Sequence, residues 1–125
     1  MKKLLGLITL SLLMASFTTS QGINDVITGI KAGNATSVSR HFDNTIEISL
    51  NGKSNSYSKS QGEAVLRDFF TNNQVKSFTI LHQGESGSSQ YCIGTLATNK
   101  GSFRATVNLK QKGDKQMLQV IKFEN

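Results

Sequence analysis

From Val75 to the C-terminus the hydropathy pattern keeps a period of two, interrupted only by short turn-rich stretches, and this constrains the fold more than any other feature of the chain. The alternating segments are 75–83, 89–98, 102–111 and 116–124. The breaks are Gly84 to Ser88, Asn99 to Gly101, and Lys112 to Lys115 around Gly113-Asp114. Links this short join only antiparallel neighbours, so the C-terminal half reads as a four-stranded meander. Its third strand sets Phe103, Ala105, Val107 and Leu109 on one face and Arg104, Thr106, Asn108 and Lys110 on the other, so one face is dry and one wet. The second strand alternates less cleanly, and Gly94 in its interior predicts a bulge or bend where the sheet curls.

Upstream the period lengthens. Ile23, Val26, Ile27 and Ile30 fall on one face of a helix that ends at Gly33, and Asn34 can cap a second short helix carrying Ala35, Val38 and Phe42. Ile46, Ile48 and Leu50 then alternate with Thr45, Glu47 and Ser49, and Asn51-Gly52 turns the chain into a partner strand over Lys53 to Tyr57. Ser58 to Gln61 forms a capping box for a third helix, about 59–72, that presents Val65, Leu66, Phe69 and Phe70 to the core. The fold class is α+β: helix, helix, hairpin, helix, then the meander.

Lys2 and Lys3 followed by the apolar run Leu4 to Phe17 read as a signal peptide, too short to be a membrane anchor. Thr18 and Ser20 suit a cut before Gln21, with Ala15 an earlier and less well-formed alternative, and the cut at Gln21 divides the chain into a signal, 1–20, and one domain, 21–125. No cysteine lies near that cut, so no lipid anchor is expected, and the mature protein is expected in the periplasm or outside a bacterial cell. With the leader removed, the formal charge falls from +6 to +4. The chain has no proline and one cysteine, which excludes Pro-rich scaffolds and disulfide-stapled miniproteins. Cys92, within a strand, reads as a buried inert thiol.

The order and length of these elements resemble the cystatin-like cone of the nuclear transport factor two-like superfamily. The stretch Asp43 to Leu50, then Tyr57-Ser58-Lys59-Ser60-Gln61 running to Asp68-Phe69-Phe70, is similar to a family of small secreted bacterial proteins classed as a domain of unknown function. Ser89-Gln90-Tyr91 with Gly94, Gly101 with Phe103-Arg104, and Ile121-Lys122-Phe123-Glu124 continue the resemblance over nearly the whole mature chain. It implies a cone in which three helices pack on a curled antiparallel sheet, and it implies no catalytic residues.

The residues themselves carry little chemistry. Long strands have no acid in their interiors: Glu85 and Asp114 are in turns, and Glu124 is penultimate. Asp43 or Glu47 stands where the steroid isomerase branch of that fold places a base, but the tyrosine and acid donors that accompany it there have no counterparts. His82 shares an alternating face with Phe78 and Ile80, which would turn it into the cone, whereas His41 suits the end of the second helix. With no His-x-His or His-x-x-x-His spacing, no metal or other cofactor is expected. Gly84-Glu85-Ser86-Gly87 falls short of a nucleophile elbow. Lys100, Arg104, Lys110, Lys112, Lys115 and Lys122 gather in the C-terminal hairpins, as an anion-facing patch or as charges that keep sheet edges soluble. The wet face lacks aromatics to stack bases, so no nucleic-acid partner is expected.

The leading expectation is therefore a non-enzymatic exported module that holds a small apolar or amphipathic ligand, or a peptide, in the cone. Phe70, Phe78, His82, Tyr91 and Arg104 are the expected lining or rim. The alternative is a domain that dimerises or pairs with an envelope protein, its cone filled by its own side chains. A small lyase or isomerase using His82 with Asp43 or Glu47 comes third.

Overall fold

Apolar stripes of period 3.6 and alternating strands meet here as the two layers of one sheet-and-helix unit, in a computed structural model that describes residues 21–125. The expected signal segment lies outside the described residues. Helix α1 (Gln21–Lys31) buries Ile23, Val26, Ile27 and Ile30. A short α2 (Ala35–Ser39) follows, its start capped by Asn34, whose side chain accepts from the Ser37 N–H. Strands β1 (Phe42–Leu50) and β2 (Lys53–Ser58) form the hairpin, with Asn51 and Gly52 both at positive φ as a type I′ connection demands. Helix α3 (Lys59–Asn72) opens with the reciprocal Ser58–Gln61 capping box. The meander is β3 (Val75–Ser86), β4 (Ser89–Thr98), β5 (Gly101–Lys112) and β6 (Lys115–Glu124).

The six strands make one sheet in the order β2-β1-β6-β5-β4-β3. Two expectations need correction. The sheet is not purely antiparallel, because β1 runs parallel to β6, with Ile48 opposite Ile121. Tight turns fix direction only between consecutive strands, and these two are joined by no turn. Phe42 is also not helical: α2 stops at Ser39, the Leu118 N–H donates to the His41 carbonyl, and Phe42 pairs with Leu118 as the first residue of β1.

Curling comes from irregular register. The β3–β4 ladder pairs Ile80 with Gly94 and then His82 with Ile93, so Leu81 is the extra residue of a bulge. The bulge expected at Gly94 thus sits on the strand opposite it. Gly94 itself is required by close approach: a Cβ there would lie 2.5 Å from the Phe78 ring and 2.6 Å from the Thr79 carbonyl oxygen. A second shift, between Asn108 and Leu109, leaves Gln119 of β6 as an extra residue.

The concave face of the sheet closes on the helices around a cluster of phenylalanines. Phe69 of α3 stacks on Phe123 at 4.2 Å between centroids and meets Phe103 edge-on at 5.2 Å, while Phe70 lies edge-on to both Phe69 and Phe123. These are favourable aromatic geometries. All four rings are at least nine-tenths buried, so the interior of the cone here is packed side chain.

Candidate functional site

The five residues expected to line the cone do not converge. Phe70 and Phe78 are buried in the core. His82, Tyr91 and Arg104 lie on the other face of the sheet, away from the helices. Register shows why. On β4 the buried residues are Cys92, Gly94, Leu96 and Thr98, so Tyr91, Ile93 and Thr95 face outward. The Leu81 bulge shifts the alternation of β3 by one, pairing His82 with outward-facing Ile93 instead of continuing the Phe78–Ile80 face. Arg104 is exposed and opposite Thr95. The structure does bring two of the five together: His82 Nε2 and the Tyr91 hydroxyl are 2.7 Å apart, on the uncovered face.

The same bulge turns Gln83 and Glu85, both still exposed, to the concave side of the sheet. Beyond it, Gln83 pairs with buried Cys92, and Glu85 with Gln90, on the concave face where the β3–β4 hairpin runs past the first turn of α1. There Ile23, Gln83, Gly84, Glu85 and Gln90 line a recess of about 310 Å³. We refer to it as the mouth of the cone. Its position is fixed by the Ile23 N–H donating to Gln116 Oε1 at 3.2 Å, which ties the start of α1 to β6.

Gln90 is the unusual residue of this recess. Its Nε2 donates to Glu85 Oε1 at 3.0 Å. A carboxylate only accepts, so the amide must face Glu85 with its NH2 and turn its oxygen away. That oxygen is buried and finds no hydrogen-bond partner among the described residues. Buried polar atoms are normally paired, and an orphaned acceptor costs about 1–3 kcal/mol. Apolar Ile23 and the Glu85 carboxylate therefore line one depression, with the unpaired Gln90 oxygen closed off from solvent behind its wall. Sequence reasoning missed Gln83, Glu85 and Gln90 because it placed Glu85 in a turn. The signal that could have found them was the bulge, read from Gly94 but assigned to the wrong strand.

Other polar groups are committed to structure. Asp43 accepts from Lys112 at 2.6 Å, from the Asn44 N–H and from the bulged Gln119 amide. These contacts, Lys112 foremost, hold its carboxyl down to about 2. Such a group does not serve as a base near neutral pH, and β6, β5 and β4 lie between its strand and that of His82. The Ser39 hydroxyl, donating at 2.7 Å, and Arg67 likewise hold Glu63 below the usual carboxylate range. Burial pushes the Cys92 thiol up, which suits an inert core residue. His41 approaches Asp25 at 3.7 Å beside an open groove. Among the described residues, no three His, Cys, Asp or Glu side chains gather as metal ligands would.

Comparison with known proteins follows the same outline. A family described as a domain of unknown function (DUF4783) matches residues 23–124. A DUF4783 family protein from Bacteroides ovatus is 32% identical, with 81% of this chain and 92% of that chain covered and a TM-score of 0.79. At 8% identity, an NTF2-like protein of unknown function from Cytophaga hutchinsonii superposes with a TM-score of 0.61 over 84% of this chain and 87% of its own. An uncharacterized cystatin fold protein from Novosphingobium aromaticivorans, 13% identical, gives 0.62 over 86% and 97%. The last two show the fold alone: an NTF2-like, cystatin-like α+β unit with a curled six-stranded sheet. No curated protein matches the chain.

Proposed function

The chain belongs to the DUF4783 family, a domain of unknown function, and from that premise we propose that it is an exported, non-enzymatic module that binds a small amphipathic ligand or a peptide segment at the mouth of its cone. The observation that carries this reading is the buried, unpaired Gln90 oxygen in a recess floored by Ile23. A ligand that draws the Gln90 amide toward the recess and donates to that oxygen recovers a cost the folded protein otherwise bears, while its apolar part covers Ile23. The stacked phenylalanines favour the mouth over the interior as the place of binding, because a ligand inside the cone would have to displace Phe69 from Phe123. Export rests on the N-terminal Lys-Lys pair and the apolar run behind it.

A second reading, an interaction domain, is favoured by one residue. Leu81, at the bulge of edge strand β3, is 63% exposed. The bulge disrupts the regular ladder that a further strand would need, so a partner would meet side chains and not backbone. Native mass spectrometry and sedimentation of residues 21–125 purified from the protein's own host separate the readings. The mouth reading expects a monomer carrying a reproducible extra mass, which Gln90→Met abolishes while the protein stays folded. A bare dimer that Leu81→Lys dissociates would overturn it in favour of the interaction domain.

A further inference from the structure

We infer that the mouth selects ligands whose polar end is a protonated amine, an inference that rests on the mouth being the binding site. The recess is lined by Ile23, Gln83, Gly84, Glu85 and Gln90, so the one charge in its lining is the Glu85 carboxylate. Glu85 spends Oε1 on the Gln90 amide, and no hydrogen bond or ion pair engages Oε2 among the described residues. The unpaired Gln90 oxygen is closed to solvent, and it becomes a second acceptor on the same cross-strand pair when its amide turns toward a ligand in the recess. A head group that satisfies both must donate more than one hydrogen bond, and beside a carboxylate it gains by being positive. An ammonium meets each condition. A carboxylate or phosphate head meets none, since it would face Glu85 and leave Gln90 Oε1 without a donor. The mature chain has a net charge of +4, so this acidic recess stands out on a basic protein and its preference is set locally, not by the overall field. Ile23 supplies the apolar floor against which an alkyl stem of the ligand, such as that of a lysine side chain, can lie.

The test uses three probes of matched stem, n-butylammonium, n-butanol and butyrate, titrated at neutral pH and moderate salt into residues 21–125. Shifts of the Gln90 side-chain amide in 1H–15N spectra report binding. Affinity is expected in the millimolar range for probes of this size. Butylammonium is expected to move the Gln90 signals most strongly, butanol weakly and butyrate not at all. Glu85→Gln keeps an acceptor for the Gln90 NH2 and removes the charge, so it should weaken butylammonium by about fivefold and leave butanol unchanged. If butanol binds as well as butylammonium, or if Glu85→Gln changes nothing, the preference for an amine is wrong while the mouth remains a binding site. If no probe shifts Gln90 and the mature chain from its host carries no extra mass, the mouth reading fails and this inference with it.

Discussion

Gln90 and Glu85 form a cross-strand pair in which one hydrogen bond is made and one acceptor is left over, and that surplus separates binding from stability. Gln90→Met keeps the volume and removes the orphaned oxygen, and although it also removes the amide donor to Glu85, that exposed carboxylate is left to water. The variant should therefore hold or raise stability, by up to about 1 kcal/mol in urea unfolding, while abolishing ligand retention. Asp43 gives the opposite kind of prediction. Its folded pKa is depressed from 3.8 to about 2, so its ionised form contributes stability above pH 4, and that contribution is lost as pH falls from 3.8 toward 2. Asp43→Asn should lower the urea midpoint at pH 6 and flatten its dependence on pH between 4 and 2. Gly94→Ala should cost about 2–3 kcal/mol, because the new methyl meets the Phe78 ring and a backbone oxygen that cannot both retreat. Gly94 was legible as special from its place inside a strand, whereas the orphaned oxygen of Gln90 was not, since it depends on which partner the amide meets across the ladder.

Strands and helices were legible where a local signal bounded them. The Ser58–Gln61 box started α3 at Lys59, and Asn51-Gly52 closed the first hairpin, because caps and turns are fixed by neighbours in sequence. Alternation failed where it mattered for the site, at Leu81. Leu81 consumes a strand position without a partner, and every side chain after it changes face, so His82 turned outward and Gln83 and Glu85 inward. One consequence is measurable: His82→Ala, at a residue expected from sequence to line the cone, should cost under about 1 kcal/mol, since it loses only an exposed contact to Tyr91. The parallel β1–β6 pairing was equally hidden, because it joins the two ends of the domain and carries no turn. The family resemblance, by contrast, was readable from Asp43–Leu50 and the stretches after it, and the DUF4783 match over 23–124 covers the same chain.

Across the whole molecule, a cone packed with aromatic rings is joined to an open recess at its rim. Phe123 touches both Phe69 and Phe70, and Phe123→Ala should cost about 3–5 kcal/mol, a large part of the stability of a domain this size. A tolerated Phe123→Ala would mean that the interior is looser than its packing implies and would return the cone itself to consideration as a binding cavity. Binding at the rim leaves that core untouched, which is why function and stability are expected to separate by mutation. The most direct measurement is native mass spectrometry of residues 21–125 and their Gln90→Met variant, both purified from the protein's own host. An extra mass on the wild type that is missing from an equally folded variant is the predicted result. The same extra mass on both proteins, or none on either, would contradict a site built around the Gln90 oxygen.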